Sequence, residues 1–222
     1  MSSVPDGTHS SLSRLALHVL TDSEWSRGRD VLTVASSALD GGATVIQLRN
    51  KSASTRKLIE EGRVLRTLTR QRSALLMVND RVDVALAVDA DGAHVGQDDM
   101  PTELARQLLG PERLLGVSVA NEEEATAAIV AGADYLGVGP IYLTHTKVDA
   151  GLPTGLQLLH DLAQHSTIPL IAIGGITAEN ARDVIQSGAT GVAVITAIVN
   201  AEDIAAATRN VIAALLRANL QS

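Results

Sequence analysis

The stretch Val78 to Met100, VNDRVDVALAVDADGAHVGQDDM, decides how the chain is read. On its left an apolar run, Ala74 to Val78, stops at Asn79-Asp80; on its right a short strand, Gly92 to Val95, stops at Gly96-Gln97-Asp98-Asp99. Two buried strands thus end at one pole, each closing on carboxylates. Carboxylates at matching ends of adjacent parallel strands can converge on one hard cation, because Mg2+ is commonly held by one or two carboxylates with waters and substrate phosphate oxygens. Asp and Asn are also frequent in turns, where their side chains bond nearby backbone. The metal reading gains weight because the same kind of strand end recurs along the chain.

Upstream, residues 1–13 are rich in Ser, Gly and Pro and read as a flexible tail, leaving 14–222 for the folded domain. Strands are expected at Leu15 to Thr21 and Ala43 to Leu48, separated by a helix from about Asp30 to Leu39 that ends at Gly41-Gly42. The second strand runs out through Gln47, Arg49 and Lys51. Residues spaced by two share a face of an extended chain, so an amide, a guanidinium and an ammonium point one way. A helix over Ser54 to Arg70 carries Arg56, Arg63 and Arg70 on one solvated face.

Downstream, Pro101 starts a helix to Leu109, a strand runs from Arg113 to Val117 and ends at Ser118, and Asn121 caps a helix with Glu122 to Glu124 in its first turn. A sixth strand, Tyr135 to Gly139, precedes Pro140 and the polar segment Thr144-His145-Thr146-Lys147. A helix around Gly155 to Gln164 leads to the strand Leu170 to Ile173, which stops at Gly174-Gly175, and Thr177 is expected to cap the next helix. The last strand, Gly191 to Ile195, ends at Thr196, and a final helix covers about Glu202 to Ala218. Eight strand-then-helix units need a parallel sheet with right-handed crossovers and close into a single-domain α/β barrel, (β/α)8. An open doubly wound sheet fits less well, since the glycine-rich turn follows the seventh strand rather than the first.

Composition narrows the function. Hydrophobic residues make up 45% and aromatics 1%, only Trp25, Tyr135 and Tyr142 with no Phe, so the core is aliphatic and offers little to stack on bases. A net charge of −7 argues against nucleic-acid or anionic-membrane partners. The absence of cysteine excludes a thiol nucleophile, disulfides and thiolate-bound zinc. The first residues lack signal-peptide order and no uncharged apolar run reaches spanning length, so a soluble cytoplasmic protein is the default expectation.

In such a barrel all C-terminal strand ends meet on one face. Gln47, Arg49, Asn79, Asp80, Asp99, Ser118, Lys147, Gly175 and Thr196 sit at or just past such ends. The loops after strands seven and eight frequently form a phosphate site from backbone N–H groups. Two anionic subsites follow: a metal-plus-cation region with Asp80, Asp99, Arg49, Lys51 and Lys147, and a backbone cradle at Gly175 and Thr196. Ser118 has no evident histidine partner, and His18 and His94 read as packed strand residues. The set suits chemistry in which a metal carries off a diphosphate rather than covalent catalysis.

The segments VIQLRNK (45–51), MVNDRVDVALAVDADGAHVGQDDMP (77–101), LLGVS (114–118), ADYLGVGPIYLTHTKVDAG (133–151), IAIGGIT (171–177) and GVAVITAI (191–198) resemble the thiamine-phosphate synthase family, with the motifs in order from about residue 15 to 205. The resemblance implies that Gln47, Leu48, Arg49, Asn50, Lys51, Asn79, Ser118 and Lys147 hold an aminopyrimidine diphosphate, that Asp80 and Asp99 bind Mg2+, and that Thr144, His145, Thr146, Gly175, Ile195 and Thr196 hold a thiazole phosphate. Arg49, Lys51, Ser118 and Lys147 would be the catalytic side chains. The implied reaction is a transfer that joins the hydroxymethylpyrimidine to the thiazole phosphate and releases diphosphate. The partners are then small phosphorylated molecules, and a homo-oligomer is compatible with the chain.

Four positions depart from the family pattern: Asn50 stands where an acid is usual, Leu143 for a proline, Thr196 for a serine, and Ala120-Asn121 where His-Thr is frequent. Thr196 keeps a hydroxyl and an N–H. Two other functions suit the same barrel: a thiazole tautomerase, which would want a histidine after the fifth strand where Ala120 stands, and a non-catalytic barrel that binds thiamine phosphate.

Overall fold

The computed structural model describes residues 14–144 and 153–220. Eight strands, β1 (Leu17–Thr21), β2 (Val45–Leu48), β3 (Leu75–Asn79), β4 (Gly92–Val95), β5 (Leu114–Val119), β6 (Tyr135–Val138), β7 (Leu170–Ile173) and β8 (Gly191–Val194), lie parallel in sequence order and close, β8 against β1. The expected (β/α)8 barrel is the fold. Each strand is short and apolar because both its faces are covered, one by the barrel interior and one by helices.

Helices follow the strands in turn: α1 (Val31–Asp40), α2 (Thr55–Gln71), α3 (Val82–Ala87), α4 (Thr102–Leu109), α5 (Glu122–Val130), α6 (Gly155–His165), α7 (Ala181–Gln186), α8 (Thr196–Val199) and α9 (Ile204–Asn219). Side-chain caps set the starts of α1, α2, α5 and α9. Asp30 accepts from the Thr33 N–H at 2.8 Å, Asn121 from Glu124 at 2.9 Å and Asp203 from Ala206 at 2.8 Å, each satisfying a donor that the first turn leaves without a carbonyl. Glu124 returns a bond at 2.7 Å from the Ala120 N–H, so the acidic first turn of α5 is a reciprocal cap.

Two ends differ from expectation. Thr177 does not cap α7: Asn180 Oδ1 takes the Thr177 N–H at 2.9 Å, residues 177–180 form a turn, and the helix begins at Ala181. Thr196 opens a separate four-residue helix, α8, before α9. Both segments, after β7 and β8, line a cavity at the pole where the strands end.

Alternation along the strands makes two apolar layers. Leu20, Val45, Leu75, Met77, Tyr135, Ile171, Ala193 and Ile195 fill the barrel, while Leu17, Val19, Ile46, Leu48, Leu76, Val78, Leu115 and Leu136 pack outward under the helices. The pole where the strands begin is tied by two carboxylates. Asp91 Oδ2 accepts from the Leu76 N–H and from Arg66 of α2, both at 2.7 Å. Asp134 Oδ2 accepts from the Leu115 N–H at 2.7 Å and pairs with Arg106 of α4. Among the described residues no helix is long and apolar enough to cross a membrane.

Candidate active site

A cavity of about 480 Å³ opens at the pole where the strands end. The residues that reach it from β2 to β5 and their loops include Arg49, Lys51, Asn79, Asp80, His94, Asp99 and Ser118; from β7 and β8 come Gly174 to Thr177 and Ile195 to Ala197. In a ring of eight strands β3 and β7 stand across from one another, so acids and cations face a backbone-rich wall.

The strand register brings this about. Asn79 is level with His94, one inward position nearer the mouth than Met77, and Ser118 is level with Gly137, two inward positions nearer the mouth than Leu114. At the end of β3, Asp80 adopts φ +63°, a left-handed conformation that Asp tolerates better than most residues, and its N–H donates to the His94 carbonyl at 2.7 Å. That turn ends the strand and leaves the carboxylate at the cavity. After β4, Asp99 folds back so that its Oδ2 accepts from the Gly96 N–H at 2.7 Å. Thus Asp80 and Asp99 line one mouth, as do Arg49, Lys51, Asn79, Ser118, Thr144, Gly175, Ile195 and Thr196.

Three residues of the 45–51 segment fall elsewhere. Leu48 alternates outward and is buried under the helices. Asn50 turns to the surface side, where it accepts hydrogen bonds from Ser23 at 3.3 Å and Ser52 at 3.2 Å. Gln47 faces inward but one layer below, lining a cavity of about 10 Å³ with His18, His94 and Tyr135. His145, Thr146 and Lys147 lie outside the described residues.

Arg49 is nearly buried and ion-paired with Asp22, itself buried at the end of β1. The Asp22 carboxylate offsets the cost of burying the guanidinium and fixes its direction, and nothing in the spacing of the 45–51 motif points to residue 22. On the far wall, Gly174 and Gly175 have φ of +99° and +65°. A Cβ at Gly175 would lie 2.7 Å from Tyr142 Cβ and one at Gly174 2.6 Å from Pro140 Cβ, so only glycine fits this turn. Asn180 braces it from behind, donating from Nδ2 to the Gly175 carbonyl at 2.9 Å. The loop therefore presents main chain rather than side chains to the cavity.

His94 differs from its expected role as packing alone. It reaches the cavity, and its Nε2 lies 2.8 Å from Ser118 Oγ while Nδ1 lies 3.1 Å from the Tyr135 hydroxyl. Ser118 thus has a histidine partner, brought from the neighbouring strand by parallel pairing and invisible in the sequence spacing. Deeper in the barrel, His18 does behave as a packed residue: burial lowers its pKa to about 3, so the imidazole is neutral. Burial also raises the Tyr135 phenol well above its ordinary value, keeping it protonated.

The acidic pair suits a hard cation. Among the described residues there is no group of three or more His, Asp or Glu placed to hold a metal, so protein ligands would supply only part of a coordination shell. Two carboxylates beside an open cavity match the habit of Mg2+, which fills its shell from water and phosphate, and do not match zinc.

Residues 17–198 match a family model described as thiamine monophosphate synthase. The chain is 58% identical over 193 residues to a thiamine-phosphate synthase of Chloroflexus aurantiacus, covering 87% of this chain and 89% of that one. It is 50% identical over 202 residues to that of Moorella thermoacetica, with coverage of 91% and 96%. A solved thiamine phosphate pyrophosphorylase from Pyrococcus furiosus superposes with a TM-score of 0.86 at 44% identity, covering 92% of this chain and 97% of that one. On this match of sequence and barrel together, the chain belongs to the thiamine monophosphate synthase family.

Proposed function

We propose that this barrel catalyses Mg2+-dependent transfer of the pyrimidinylmethyl group from hydroxymethylpyrimidine diphosphate to the nitrogen of a thiazole phosphate, giving thiamine phosphate and diphosphate. The observation that carries the reading is the division of one cavity into an acidic and cationic wall with Asp80, Asp99, Arg49 and Lys51, and a main-chain wall with Gly174 to Thr177 and Thr196. A diphosphate suits the first and a monophosphate the second.

The pyrimidine methylene loses diphosphate and the thiazole nitrogen takes its place, so a C–O bond breaks, a C–N bond forms and the leaving pair stays on diphosphate. Arg49, held by Asp22, and Lys51 meet the negative charge that grows on the departing oxygens. One preorganised donor at such a position is worth about 3 to 4 kcal/mol. Asp80 and Asp99 would hold Mg2+, which when bound neutralises diphosphate oxygens. Asn79 and Ser118 orient the pyrimidine diphosphate, and Lys147 is assigned to the same leaving group. Gly175, Ile195 and Thr196 hold the thiazole phosphate through backbone N–H groups and the Thr196 hydroxyl. Ala120 lines the cavity where the tautomerase reading calls for histidine, which favours the synthase.

The test is an incubation with both substrates and Mg2+, following diphosphate release and thiamine phosphate formation. Chelation of the metal should abolish both, and Asp99→Ala should lower turnover on the order of a hundredfold, only partly restored by excess Mg2+. Unchanged turnover in Asp99→Ala would remove the metal assignment, and absence of thiamine phosphate would remove the reaction.

A further inference from the structure

We propose that Tyr135 is a positioning residue that fixes the tautomer of His94 and so makes the Ser118 hydroxyl a hydrogen-bond donor into the cavity. The inference rests on Ser118 facing the pyrimidine diphosphate, as read above, and adds what that hydroxyl offers it: a proton, for an acceptor atom of the ligand.

Three polar groups on three adjacent strands are in line. The Tyr135 hydroxyl of β6 lies 3.1 Å from His94 Nδ1 on β4, and His94 Nε2 lies 2.8 Å from Ser118 Oγ on β5. Tyr135 is almost wholly buried and Ser118 lines the cavity. Two glycines leave room for the line. A Cβ at Gly116 would fall 2.4 Å from both His94 Nδ1 and the Tyr135 hydroxyl, and one at Gly137 would fall 2.7 Å from His94 Cε1. The slot is built for these two rings side by side.

The direction of the line follows from donor inventory. A protonated phenol has one hydrogen to place, and among the described residues its hydrogen-bond partner is His94 Nδ1. The neighbouring His18 ring packs against the phenol at 5.4 Å between centroids and is not hydrogen-bonded to it. A buried donor left without an acceptor is costly, so the phenol donates and Nδ1 accepts. A neutral imidazole that accepts at Nδ1 carries its hydrogen on Nε2, which then donates to Ser118 Oγ. The serine oxygen is thereby occupied as an acceptor, and its own hydrogen is turned toward the cavity. Burial keeps the phenol protonated, which holds this order in place. Hydrogen bonds in such a line polarise one another, so the last donor is stronger than an isolated serine.

The deciding measurement is the long-range nitrogen–proton spectrum of full-length protein labelled at histidine, above neutral pH, with the His94 signals assigned by their loss in His94→Gln. The expected result is a hydrogen on Nε2 and a bare Nδ1; a hydrogen on Nδ1 in the unaltered protein overturns the proposal whatever the activity. In Tyr135→Phe the single tautomer should be lost and kcat should fall about five- to tenfold, the scale of one neutral hydrogen bond. Because Tyr135 acts through Ser118, the same change in a Ser118→Ala background should cost less than about twofold. An equal loss in both backgrounds would make Tyr135 a packing residue only. Should Tyr135→Phe fail to fold, the spectrum of the unaltered protein still decides. A protein with the expected tautomer but no thiamine phosphate formation would refute the reaction and leave the hydrogen-bond line standing.

Discussion

His18 shows how a single side chain ties the barrel interior to pH. It is buried on β1, its Nε2 has no hydrogen-bond partner among the described residues, and its pKa falls from 6.5 to about 3 because burial disfavours the charged ring. The unfolded chain therefore binds a proton below about pH 6.5 that the folded chain refuses until about pH 3. Stability from this group is present above 6.5 and is lost as pH falls through that window. Between pH 7.5 and 5 the expected loss is about 2 kcal/mol. Denaturant titrations at the two values check it: His18→Gln should lose that part of the slope, and an unaltered slope would mean that other groups set the acid limb. At this scale the sequence was a partial guide. The Gln47, Arg49, Lys51 spacing put polar groups on one face, but whether each reached the mouth depended on its layer, and Gln47 stops one layer short.

Among the elements, α8 is the least expected. Four residues cannot hold themselves as a helix, since nucleation is costly and both ends are open. Arg29, from the loop after β1, closes the C-terminal end: Nη2 donates to the Val199 carbonyl and Nη1 to that of Ala201, both at 2.8 Å. The other end of the helix, Thr196 and Ala197, lines the cavity. Arg29→Ala should loosen α8, raising KM for the phosphate monoester about fivefold with a smaller change in kcat, in keeping with about 1 kcal/mol of lost ordering. Steady-state kinetics with each substrate varied would check it; a loss confined to kcat would place Arg29 in the chemistry instead. Regular elements such as α1, α5 and β7 were legible from caps and apolar runs. The starts of α7 and α8 were not: Asn180 acts across a turn rather than at helical spacing, and α8 is held at its far end by Arg29 from the loop after the neighbouring β1.

Across the whole molecule the two poles divide the work. The strand-start pole carries Asp91 with Arg66 and Asp134 with Arg106, each carboxylate holding a strand N–H and a helix guanidinium together. Asp134→Ala should cost about 1 to 2 kcal/mol, toward the low end because the carboxylate is partly exposed, and lower Tm by a few degrees. Activity of the folded enzyme should be unchanged, since the lock is a barrel length from the cavity. A loss of turnover at a temperature where the variant is fully folded would contradict that separation. By itself the sequence determined the barrel, since eight apolar runs alternating with amphipathic helices have few other ways to bury both faces of each strand, and it determined which strand ends carry acids, cations and glycines. Only the tertiary structure decided the partners: Asp22 against Arg49, and His94 between Tyr135 and Ser118. Those contacts depend on register between strands far apart in the chain, a quantity that local periodicity does not encode.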